Sequence, residues 1–215
     1  MLAPRKKLWS TPSSAIDVAL NFVQLDENDV VYDVGCGDGR VLIRMASRSI
    51  PFIPGGLSGS TNIHIDSQTP SQSSFTQHYC TRFVGIEISP ERADEARSNI
   101  LHAQNTNQIA PHVSIEIICA NALDTDVIDY SRATVIFLYL VPRGLRLIKP
   151  IIWSKEEIRC NSEQTTAQRQ QEKTKFRRII TYMSPFEDEK YVRKEVCRVP
   201  HQAGAAWPVY LYHTR

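Results

Sequence analysis

The chain contains no apolar run approaching the roughly 18 to 20 residues that a membrane span requires. It has no G-x-x-x-x-G-K-[ST] sequence, which disfavours ATP or GTP hydrolysis. Its five cysteines, Cys36, Cys80, Cys119, Cys160 and Cys197, are odd in number and irregularly spaced. They match neither a secreted disulfide framework nor a zinc site, and a reducing compartment fits best. The six histidines, at positions 64, 78, 102, 112, 201 and 213, show no ligand spacing, so no metal is expected. A large excess of one charge is also lacking: 25 Lys and Arg stand against 23 Asp and Glu, which gives no nucleic-acid footprint. Behind Arg5, Lys6 and Lys7 there is no apolar signal-peptide region, and Asp17 and Asp26 interrupt the acid-free stretch of an organelle presequence. The expected location is cytoplasmic, with a mitochondrial address as the alternative.

What is present is enough apolar residue, 42% of 215, to bury one core, so a single domain over 1–215 is expected. Thr11 and Pro12 read as the cap and first residue of a helix carrying Ala15, Ile16, Ala19, Leu20 and Val23 at three-to-four spacing. Val30 to Val34 is a short β-rich run that ends in glycines, and Val41, Leu42, Met45 and Ala46 then return to helical period. From about 48 to 80 the composition shifts to Ser, Gln, Thr, Pro and Gly, and about 155 to 175 is rich in charge and Gln. Both stretches read as flexible insertions, since neither offers enough apolar surface to offset chain entropy; the second fits a solvated face better than a docking surface.

Phe83 to Ile88 resumes as a strand, and Ser89 and Pro90 start a helix carrying Ala93, Ala96 and Ile100. Val113 to Cys119, alternating at first and then continuously apolar, and Ala133 to Leu140, apolar except at Thr134 and Tyr139, are further strands expected to be buried on both faces. A short helix fits within 142–153 and a fifth strand runs from Arg177 to Met183. Strands near 191–199 and 207–213 form a terminal antiparallel hairpin whose turn contains Gly204. The expected fold class is α/β: a doubly wound, Rossmann-like, seven-stranded and mostly parallel sheet closed by that hairpin.

The chemistry concentrates in Asp33-Val34-Gly35-Cys36-Gly37-Asp38-Gly39, where glycines at a strand-to-helix turn let a ligand approach the backbone. The spacing is G-x-G-x-G, not the G-x-G-x-x-G of dinucleotide folds, so an NAD-linked oxidoreductase is disfavoured. Asp33 suits an amino-acid ammonium, or amides shaping the loop, better than a pyrophosphate. A zwitterionic adenosyl ligand therefore fits. Glu87, at the end of the next strand, can accept hydrogen bonds from ribose hydroxyls; subtracting an insertion of roughly 30 residues restores the usual separation from the glycines. Asn121, after the third strand and followed by Ala122, can pair with an adenine edge. Cys36 reads as a small residue between glycines and not a redox centre, and Trp9 either packs under the first helix or closes over the ligand.

On these residues the chain resembles the class I S-adenosylmethionine-dependent methyltransferases, over about 9–46 and 82–153. That resemblance implies a cofactor site of Asp33, Gly35, Cys36, Gly37, Gly39, Glu87, Ile88, Asn121 and Ala122, with S-adenosylhomocysteine as product. Relatives often carry Asp where Asn121 stands. Trp9-Ser10-Thr11-Pro12 and Phe137-Leu138-Tyr139-Leu140-Val141-Pro142 resemble the small methyltransferases related to the ATP synthase c-subunit lysine methyltransferase. The narrower likeness implies a protein-lysine substrate, with Tyr139 positioning the amine; the membrane-anchoring segment of some animal relatives is missing. A small-molecule methyltransferase, and a non-catalytic cofactor-binding interaction protein, are the competing readings.

Overall fold

The structure is a computed structural model that describes residues 10–48, 82–153, 176–198 and 205–214. Trp9, Gly204, Cys80, Cys160 and both expected insertions lie outside the described residues. Helix α1 spans Ser13–Val23, β1 Val30–Val34, α2 Arg40–Arg48, β2 Arg82–Glu87, α3 Pro90–Asn105 and β3 Ser114–Cys119. There follow β4 Val135–Leu138, α4 Pro142–Ile152, β5 Arg177–Tyr182, β6 Arg193–Arg198 and β7 Ala206–Thr214.

The seven strands form one sheet in the order β3-β2-β1-β4-β5-β7-β6. The first five run parallel, and β7 inserts antiparallel between β5 and its hairpin partner β6. This is the α/β, mostly parallel architecture with a terminal antiparallel hairpin that the strand pattern predicts. Alternation along β1 divides the core between the two faces. Val31 joins the cluster under α1 and α2, whereas Val30, Tyr32 and Val34 join the one under α4. Tying the first five strands together by parallel pairing brings their carboxyl ends to one edge, where open α/β sheets place their ligands.

Two sequence expectations are corrected. Pro12, extended at φ −66° and ψ 148°, is itself the helix cap, and its carbonyl accepts from the N–H groups of Ala15 and Ile16. Thr11 is therefore not the cap; it is buried one residue earlier, against the cavity described below. The second correction concerns β3. β4 is buried at every position, as its apolar run implies, but β3 alternates between exposed and half-buried because it is the edge strand, with a neighbour on one side only. Apolar content alone does not report a strand's place in the sheet. The cap of α3 follows the sequence: Ser89 Oγ accepts from Arg92 N–H, with Pro90 in the first turn.

No helix among the described residues is long and apolar enough to cross a membrane.

Candidate cofactor site

The turn from β1 into α2 holds Gly35, Gly37 and Gly39 at φ +80°, +57° and +79°, a region that side chains other than glycine rarely adopt. The N–H groups of Gly35 and Cys36 donate to the Ile86 carbonyl at 2.8 and 3.0 Å, binding the turn to the neighbouring strand. At Gly39 a Cβ would press on Ala96 of α3 at 3.3 Å, so this glycine lets the turn and α3 pack closely. At Gly37 a Cβ would collide with the Arg92 guanidinium.

A cavity of about 460 Å³ opens over this turn, within the range of small-molecule sites. Its walls include Asp33, Gly35, Cys36, Gly37, Tyr139 and Met183. Of the residues singled out from sequence, the cavity thus gathers Asp33, Gly35, Cys36, Gly37 and Tyr139. Gly39 and Glu87 are not among its lining residues. Glu87 is 7% exposed, and its two carboxylate oxygens accept from Gly37 N–H and Ser89 N–H, each at 3.0 Å, so it braces the turn whatever else it contacts. Ile88 projects into solvent at 64% exposure. Asn121 and Ala122 lie beyond the end of β3, outside the cavity lining. There the Asn121 side-chain oxygen accepts from Leu123 N–H at 3.1 Å, and the Ala122 carbonyl accepts from the Tyr130 hydroxyl at 2.8 Å.

Asp33 is the outlier of the site. It is 2% exposed, yet its Oδ2 has no hydrogen-bond partner. Burial, reinforced by the carboxylates of Glu87 and Asp38, pushes its carboxyl up to about 8. Asp38 behaves oppositely: burial raises it, but hydrogen bonds and charge from Arg40 outweigh burial and hold it low. The Cys36 thiol is driven upward by burial and by Asp33 and Glu87, so it stays protonated and inert. Orphaned acceptors of this kind are rare in folded proteins. Together with a cradle that a Cβ would obstruct, this one fits a ligand presenting a cation.

Elsewhere in the lining, the Tyr139 hydroxyl donates to Met183 Sδ at 3.0 Å, and the ring meets Tyr182 edge-on at a 4.9 Å centroid distance. Met183 itself sits at φ +70°, held there by its N–H to the Pro208 carbonyl at 2.8 Å. A non-glycine residue in this region is strained, and such strain gathers at functional sites. Sequence reading missed Met183, Ser184 and Arg92. The first two follow β5, whose parallel pairing with β4 brings its carboxyl end to the cavity, a long-range fact with no local signature. Arg92 carried a weak signal, lying in the first turn of the helix that follows Glu87. Among the described residues no group of three or more His, Cys, Asp or Glu gathers as a metal site.

No family model matches the chain. A protein-lysine N-methyltransferase of Saccharolobus islandicus (strain REY15A) is 27% identical over 140 residues, which make up 65% of this chain and 63% of that protein. The match therefore spans less than two thirds of that relative's length. Among solved structures, an RNA methyltransferase from Salinibacter ruber in complex with S-adenosyl-L-homocysteine superposes with a TM-score of 0.58 at 22% identity, covering 95% of this chain and 93% of that one. Magnesium protoporphyrin IX methyltransferase from Synechocystis PCC 6803 with bound S-adenosylmethionine gives 0.53 at 10% identity, covering 94% and 79%. The chain thus has the Rossmann-like fold of these class I methyltransferases, the fold that its glycine turn and strand pattern resemble.

Proposed function

We propose that this chain is an S-adenosylmethionine-dependent methyltransferase and that its acceptor is a protein lysine. The observation that carries the cofactor reading is Asp33, a residue of the cavity wall whose buried Oδ2 has no partner, beside a turn of three left-handed glycines. Bound there, S-adenosylmethionine would supply a methyl group already activated on a sulfonium. Asp33 would take the ammonium of its methionine part, Gly35 and Gly37 its close backbone approach, and Glu87 the ribose hydroxyls. Cys36 and Gly39 complete the turn, and Ile88, Asn121 and Ala122, after β2 and β3, would contact the adenine end.

Transfer from a sulfonium is an in-line displacement, so the protein's main task is to hold the nucleophile in line. A lysine must first arrive as the neutral amine, and burial in the half-buried mouth beside Tyr139 favours loss of its proton to solvent. The Tyr139 hydroxyl spends its proton on Met183 Sδ, which leaves the oxygen lone pairs to accept from an amine N–H. Support for lysine comes from the Saccharolobus relative and from this hydroxyl.

Calorimetric titration with S-adenosylmethionine, S-adenosylhomocysteine and NAD, on the wild type and a Glu87→Ala variant, tests the cofactor. Saturable binding of the adenosyl ligands, weakened in the variant, is expected; binding of NAD alone, or of nothing, would overturn the proposal. Labelled-methyl transfer in cell extract then tests the acceptor. Label in acid-stable methyl-lysine supports the protein reading, and label confined to the small-molecule fraction replaces it.

A further inference from the structure

Asp33, next to the last residue of β1, is a buried carboxyl whose Oδ2 has no hydrogen-bond partner. The ionisable groups around it come from four elements. From β2 comes Glu87, whose oxygens are turned to the N–H groups of Gly37 and Ser89. From the glycine turn come Asp38, engaged by Arg40, and the Cys36 thiol, kept neutral by burial. From α3 comes Arg92, which lies over Gly37 and acts on Asp38 and Cys36. Beyond β4 stands the Tyr139 phenol, raised by burial. The nearest charges felt by Asp33 are thus two carboxylates, and none of the described cations pairs with it. A bare carboxylate in such a place is too costly, and the ordinary escape is to keep the proton.

We propose that Asp33 exchanges its proton for the cofactor's ammonium: it is a neutral acid in the free protein and a carboxylate in the complex, and the proton leaves to solvent. The balance is one O–H bond ionised at Asp33, one proton taken up by buffer, and one N–H···O⁻ contact formed from the incoming ammonium. The exchange rests on the cofactor reading above and adds to it a proton count and a pH dependence. Because the carboxyl of the free protein titrates only near 8, cofactor binding at about pH 6.5 must first pay for its ionisation. Binding therefore tightens as pH rises, by about tenfold per pH unit between roughly 6 and 7.5, and levels off above.

The test uses S-adenosylhomocysteine and the full chain, titrated at about pH 6.5 in two buffers of different ionisation enthalpy. The expected result is release of close to one proton per ligand bound, with none released by Asp33→Asn. Infrared difference spectra provide a second readout: binding to the wild type should bleach a protonated-carboxyl C=O band that the variant lacks. Wild-type binding without proton release overturns the exchange while leaving the cofactor reading intact. Absence of any wild-type binding removes the cofactor reading, and the exchange with it.

Discussion

Two buried carboxyls mark opposite ends of the same strand, and they are treated in opposite ways. Asp29, just before β1, is fully buried and saturated: it accepts from Asp26 N–H at 2.8 Å, from the Thr134 hydroxyl at 2.7 Å and from Arg178. Burial alone would raise its pKa, but Arg178 and these hydrogen bonds outweigh burial and hold it below the usual carboxylate range. Asp33, four residues on, has burial without compensation and is pushed up to about 8. A satisfied buried acid ties β1 to β4 and β5; an unsatisfied one waits for something from outside. The amino edge of the sheet is closed by its own partners, and the carboxyl edge holds the unpartnered acid to which the proposal assigns a ligand.

Removing each acid separates the two roles. Asp29→Asn leaves the half-buried Arg178 without its buried carboxylate partner and should cost about 3 kcal/mol of stability, read by chemical denaturation. Asp33→Asn should do the reverse, weakening S-adenosylhomocysteine binding while the fold is kept or strengthened. The pH dependence has a definite sign. Between about 4 and 8 the folded chain retains a proton on Asp33 that the unfolded chain has lost, so wild-type stability falls as pH rises. Relative to Asp33→Asn the slope should approach roughly 1.4 kcal/mol per pH unit. Asp29 contributes stability that is present above about 4 and lost as pH falls through its lowered pKa. Both variants should therefore approach wild type at low pH and depart from it above about 4 in opposite directions, Asp29→Asn as the less stable protein and Asp33→Asn as the more stable one.

Smaller effects refine the contrast at the carboxyl edge. Gly37→Ala places a Cβ at φ +57° against Arg92, which should cost about 1 to 2 kcal/mol of stability and weaken ligand binding. Tyr139→Phe loses the bond to Met183 Sδ and should change stability by less than about 1 kcal/mol. Its methyl transfer should fall while S-adenosylhomocysteine affinity stays unchanged, as a comparison of turnover with calorimetry would show.

Much of the carboxyl edge was readable because its signals are local. A β-rich run ending in G-x-G-x-G, then helical period, announces the turn; Glu87 announces itself once the stretch before it is set aside. The unpartnered state of Asp33 could not be read, because it depends on which charges β2 and the glycine turn bring near. Nor could Asp29, whose partners Thr134 and Arg178 lie over 100 residues away in sequence. Met183 reaches the site because β5 lies parallel beside β4, and the edge position of β3 is likewise a matter of strand order. Thr11 was assigned to the wrong task because Pro12 serves equally well, by its fixed φ, just outside a helix and just inside one.

The account stands or falls on Asp33 as the ligand end of β1. Titration of wild type, Asp29→Asn and Asp33→Asn with S-adenosylhomocysteine tests this directly. The account predicts saturable one-to-one binding by the wild type and by the folded Asp29→Asn protein, and loss of at least tenfold in affinity for Asp33→Asn. Equal binding by all three, or none by the wild type, would contradict it.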